Sequence, residues 1–105
     1  MTKRSSRKSP DVTRSTLTWR HVTCRVVETR NFLTPGTTQL EIRVTSPKGA
    51  PLPITTTGYR AEYVSALVLS NAGGAHLFFI AWLNRAASNK AYLKAENAWR
   101  QPSLF

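Results

Sequence analysis

The sequence predicts an α+β domain: a three-stranded antiparallel meander followed by a buried helix and a C-terminal amphipathic helix. Three observations predict it. Residues between 17 and 56 alternate between apolar and polar with the period of two that strands require. Pro35-Gly36 and Ser46-Pro47-Lys48-Gly49 punctuate that stretch as turns. After Gly58 the apolar spacing lengthens to that of helices.

Residues 1–16 are mostly Lys, Arg, Ser and Thr, with almost nothing apolar to offset the entropy of ordering, so they read as a disordered basic arm. The folded domain then spans residues 17–105. Its first strand, residues 17–28, places Val22, Cys24 and Val26 on one face and Trp19, His21, Thr23, Arg25 and Val27 on the other. A second strand, residues 39–45, sets Leu40, Ile42 and Val44 against Glu41 and Arg43. A short third strand covers residues 52–56, and Pro51 and Pro53, which lack an N–H, push it to the sheet edge.

Residues 61–70 read as a short helix or an irregular turn, ended by Gly73-Gly74. Residues 76–87 carry Leu77, Phe78, Phe79, Ile80, Trp82 and Leu83, apolar nearly all round, which predicts a helix buried on several sides. Residues 89–100 are amphipathic: Ala91, Tyr92, Ala95, Ala98 and Trp99 oppose Lys90, Lys94, Asn97 and Arg100. Ser88 is the expected N-cap of that helix. No Pro or Gly separates the last two helices, so one long bent helix is the other reading.

Charge narrows the function more than any motif does. Fifteen Lys and Arg stand against five acids, a net charge of +10, in a chain of 105 residues. Such an excess draws a protein toward nucleic acid or another polyanion. It is shared by both parts: residues 1–16 hold five basic groups against Asp11, and the remainder ten against four glutamates. The arm reads either as a solubilising tail or as a phosphate-binding arm that gains affinity by releasing counterions.

The single Cys24 cannot close an intrachain disulfide, which favours a cytoplasmic setting. The basic start has no apolar stretch behind it and does not read as a secretory signal. No apolar run approaches the roughly 18 residues of a membrane span.

Catalytic chemistry finds little to work with. His21 and Cys24 stand three apart on the expected strand and so point to opposite faces, and His76 is the only further N/S donor. We therefore expect no metal and no cofactor, and Cys24 reads as a small buried hydrophobe. Gly73-Gly74 ahead of a helix is either an anion-binding start or a hinge and C-cap. An enzyme built on Tyr59, Arg60, Glu62 and His76 would need the fold to bring those groups together.

Two regions fit binding better. Thr55-Thr56-Thr57-Gly58-Tyr59-Arg60 lies between the edge strand and the helical half. Tyr59 suits stacking on a base and Arg60 suits clamping a phosphate or carboxylate. The structural alternative has Thr extending the strand, Gly58 turning it and Tyr59 plugging the core. On the sheet, Trp19, His21, Arg25, Glu41 and Arg43 combine aromatic and basic groups as single-strand binders do, although a solvated face with Arg–Glu pairing explains the same pattern.

Several of these segments carry a resemblance. Trp19-Arg20-x-Val22, the Pro35-Gly36 turn, the run from Ala50 through Pro-Leu-Pro-Ile-Thr-Thr-Thr-Gly to Tyr59-Arg60, and Ala72-Gly73-Gly74 before an aromatic helix are similar to a family of small uncharacterised basic bacterial proteins. The resemblance spans about residues 18–105 and implies a plasmid or other mobile-element setting, with no assigned activity. The family pattern continues with Ser-His-Phe where this chain has Ala61-Glu62-Tyr63.

The function expected from the sequence is that of a non-enzymatic accessory protein binding nucleic acid, DNA or RNA. Lys3, Arg4, Arg7 and Lys8 of the arm would act with Arg20, Arg25, Arg43, Tyr59 and Arg60 of the domain. The alternative is a small interaction module that docks on an acidic protein.

Overall fold

A computed structural model describes residues 11–100. Four antiparallel strands lie in the order of the chain: β1 (Asp11–Trp19), β2 (Val22–Arg30), β3 (Thr37–Ser46) and β4 (Tyr59–Ser65). Three helices follow, α1 (Ala66–Ala72), α2 (Ala75–Ala86) and α3 (Lys90–Arg100). The α+β class stands, but the sheet has four strands where the pattern predicts three.

Two local events account for the difference. The expected strand over residues 17–28 is cut by a two-residue hairpin turn, with Trp19 paired to Val22. Arg20 occupies the turn at φ 56°, a left-handed value unusual for a non-glycine residue, so the chain reverses without a Gly or Asn to announce it. Because paired residues share a face, Trp19 lies buried beside Val22 instead of opposite it. Residues 11–16, expected in the arm, are the first part of β1 and pair with residues 25–30. The rest of the expected arm lies outside the described residues.

The second event concerns the prolines. Residues 52–56 form no sheet strand; a lone bridge joins Leu52 to Thr55, and Leu52 and Ile54 plug into the core. With Pro51 and Pro53 unable to donate to a ladder, the segment packs as a loop. The edge strand is β4 instead, paired to β3 from Thr37↔Ser65 to Arg43↔Tyr59. Its alternation is disguised, since its inward positions hold Arg60 and Glu62 as well as Val64.

All three helices draw on one core. Leu17, Trp19, Val22, Cys24, Val26, Leu40 and Ile42 of the sheet are buried with Phe79, Leu83 and Tyr92 of the helices. Side-chain bonds hold α2 to β1: Trp19 Nε1 donates to Asn84 Oδ1 (2.9 Å), and Ser15 Oγ lies 2.7 Å from His76 Nε2. The apolar helix is buried over much of its surface, with Phe78, Ile80 and Trp82 packed against the core, but not all round. Phe79 and Leu83 face the core while Leu77 is 56% exposed. Ser65 caps α1, its Oγ accepting from Val68 N at 3.1 Å. Asn89, not Ser88, caps α3, accepting from Ala91 N (2.8 Å) and Tyr92 N (3.1 Å), so α2 and α3 are separate helices.

Candidate nucleic-acid interface

The helices cover one face of the sheet, and the register fixes what the other presents. Three cross-strand rows cross that outer face. Thr16, Arg25, Arg43 and Tyr59 form one; Arg14, Val27, Glu41 and Ala61 the next; Val12, Thr29, Gln39 and Tyr63 the third. Arg14, Arg25 and Arg43 are exposed. They meet Val27, Glu41 and Tyr59 around a shallow depression of about 240 Å³.

Tyr59 organises this depression. Its hydroxyl donates to Glu41 Oε2 at 2.5 Å, and the Arg43 guanidinium lies over its ring, 4.5 Å from the centroid. The bond to Glu41, more than the ring's partial burial, holds the phenol above its ordinary pKa. The threonine run sets the strand's start. Thr55 Oγ1 and Thr57 Oγ1 both donate to the Tyr59 carbonyl (2.8 and 3.2 Å), and Thr57 N donates back to Thr55 Oγ1. Gly58 completes the turn at φ 83°. These hydroxyls serve the backbone, and the tyrosine they position points to solvent rather than into the core.

Ion pairing leaves this face electropositive. Among the described residues the salt bridges join Arg30 to Glu28, Arg60 to Glu62 and Arg100 to Glu96. None uses Arg14, Arg25 or Arg43. Glu41 is the one carboxylate on the three rows, and it is engaged by Tyr59.

Comparison with known proteins adds a family. The family model of the KlcB third domain matches residues 12–95, most of the chain. The chain belongs to that family. No curated protein and no solved structure matches it. The KlcB third-domain match runs from β1 into α3 and so includes every residue of the three outer rows.

Within this fold the sequence-predicted residues divide. Arg25, Arg43 and Tyr59 come together on the outer face. Arg60 does not: as the partner of Ile42 it points to the helical face, donates to Glu62 Oε1 and the Ile54 carbonyl, and covers the Trp82 ring at 5.1 Å. Arg20 sits at the hairpin tip over the Trp19 ring, 4.4 Å from its centroid. Trp19 is core, and His21 stacks on Trp99. Lys3, Arg4, Arg7 and Lys8 lie outside the described residues. The residue missed is Arg14. Its signal was the alternation of Val12, Arg14, Thr16 and Thr18 against Leu17 and Trp19, hidden by the polar composition of that stretch.

A larger groove of about 430 Å³ opens on the other face, between residues 51–56 and α3. Its cation, Arg60, is already committed to Glu62, Ile54 and Trp82. Among the described residues no group of three His, Cys, Asp or Glu side chains is arranged to hold a metal ion. Tyr59 and Arg60 point to opposite faces, so the four groups considered for an enzyme share no site. No single helix among the described residues is long and apolar enough to cross a membrane.

Proposed function

We propose that this chain is a non-enzymatic nucleic-acid-binding protein whose interface is the outer face of its sheet. One observation carries the reading: Arg14, Arg25 and Arg43, none of them in an ion pair among the described residues, converge around Tyr59 on the face the helices leave uncovered. Arginine guanidinium groups match phosphate oxygens bidentately, and those outside an ion pair give up no carboxylate on binding. Lys3, Arg4, Arg7 and Lys8 add sequence-independent attraction from the chain's start. A cytoplasmic, mobile-element setting and an accessory role belong to the same proposal. The lone buried Cys24 and the resemblance of the Pro-Leu-Pro-Ile-Thr-Thr-Thr-Gly-Tyr-Arg run support them.

The test is binding by fluorescence anisotropy across a salt series. Log affinity falls linearly with log salt, and Arg14→Gln/Arg25→Gln/Arg43→Gln flattens the slope by up to about three, one per phosphate contact. Deleting residues 2–10 flattens it further while leaving β1 intact. If single strands, duplexes and RNA all fail to bind at low salt, the proposal is wrong. Salt-dependent capture of an acidic protein alone would move the interface to the protein-docking alternative.

A further inference from the structure

The outer face is segregated. Its arginines occupy two adjacent rows, while the third row, Val12, Thr29, Gln39 and Tyr63, carries no charge. Tyr63 and Tyr59 stand four residues apart on β4 and on the same side, about 13 Å along the strand. Their environments differ. Tyr59 is held by Glu41 and covered by Arg43, whereas Tyr63 is 59% exposed. Tyr63 is also braced: Phe32, from the loop between β2 and β3, stacks against it with centroids 5.8 Å apart and planes at 25°. A large aromatic ring kept in solvent, supported from one side, on a residue whose cross-strand partner is Gln39, is unaccounted for by the core.

We propose, building on the nucleic-acid reading above, that the outer face takes single-stranded nucleic acid. The backbone lies over Arg14, Arg25 and Arg43, one unstacked base lies on Tyr63, and Gln39 is in place to bond that base's edge. The layout suits this occupant. A single strand separates a charged backbone from flat apolar bases, as the rows separate guanidinium groups from an aromatic ring and an amide. A duplex hides its base faces, and its major groove is read by a projecting helix or two-stranded ribbon. A broad four-stranded face offers no such projection. Stacking on tyrosine accepts any base, so the preference is for strandedness more than for sequence.

The experiment uses the full chain and three labelled probes of about 15 nucleotides, near the upper site size of one such module: single-stranded DNA, RNA of the same sequence, and the matching duplex. The expected result is tighter binding to both single strands than to the duplex. Tyr63→Ala weakens single-strand binding roughly 5- to 100-fold with the salt slope unchanged and leaves duplex binding as it was. Tyr63→Phe, which keeps the ring, retains most of the affinity. Because Tyr63 is exposed, a thermal melt like that of the unmodified chain accompanies each variant. Equal affinity for single strand and duplex, or a Tyr63→Ala effect absent or equal on both, overturns the single-strand inference. In those cases the triple arginine variant still weakens every probe, and the broader nucleic-acid reading survives. If that variant changes neither affinity nor slope, both readings fall.

Discussion

Arg25 and Arg43 are direct partners across β2 and β3, two like charges opposed on an exposed face. Directly opposed like charges cost a sheet roughly 0.2–1 kcal/mol. A face selected only for stability would relieve that cost with an acid at one position. Arg25→Gln is therefore expected to raise unfolding free energy by about that amount at low salt, as measured by urea denaturation, while weakening nucleic-acid binding. A loss of stability would show that Arg25 has a structural role on this face.

Tyr59→Phe tests the organiser of the depression. Losing the bond to Glu41 costs about 1 kcal/mol, since the carboxylate is partly exposed and rehydrates. The folded phenol titrates above its unfolded value of about 10, so its contribution is complete below that pH and declines as pH rises through the raised value. Spectrophotometric titration should find Tyr59 and Tyr92 titrating late, the latter held up mainly by burial. Tyr59→Phe should remove one of them.

Cys24 is wholly buried, and burial pushes its thiol up to about 11. Its neutral form is the one the fold favours, so this stabilisation is present below the unfolded thiol pKa of about 8.5 and is lost as pH rises toward 11. A thiol reagent at pH 8 should react only as fast as the protein opens, and at once in denaturant. Rapid reaction with the native protein would contradict the packing.

Two residues of α2, two positions apart, should differ sharply. Phe79→Ala empties a site in the centre of the core and should cost about 3–5 kcal/mol. Leu77→Ala, on the exposed side, should change stability by about 0.5 kcal/mol or less. Comparable losses would mean that the apolar surface of α2 is covered all round.

Gly73 closes α1 at φ 94°, and a Cβ there would stand 2.7 Å from Leu77 Cδ1. Gly73→Ala should cost roughly 1–3 kcal/mol from both sources. Pairing it with Leu77→Ala relieves the clash and leaves the left-handed strain, so the double variant should recover part of the loss. Full recovery would assign the whole cost to the clash.

Much of this molecule follows from local pattern. The inward run of Val22, Cys24, Val26, Leu40 and Ile42, the positions of α2 and α3, and the placing of Arg25 and Arg43 on one outer face were legible because a period of two or 3.6 leaves a direct trace; that these two arginines pair with each other, and not with a glutamate, was decided by the register. The hairpin at Arg20-His21 left none, since its left-handed residue is an arginine. β4 left little, because Arg60 and Glu62 satisfy each other on the inward side.

By itself, the sequence determined the α+β class, the core residues of β2 and β3 and a positive charge shared between residues 1–16 and the rest of the chain. Only the tertiary structure decided that residues 11–16 belong to the sheet, which brings Arg14 beside Arg25 and Arg43. It also sent Tyr59 and Arg60 to opposite faces. The reason is physical: a strand's alternation says which residues share a side, but a turn without Gly and an edge without alternation are settled by pairing and burial across the whole fold.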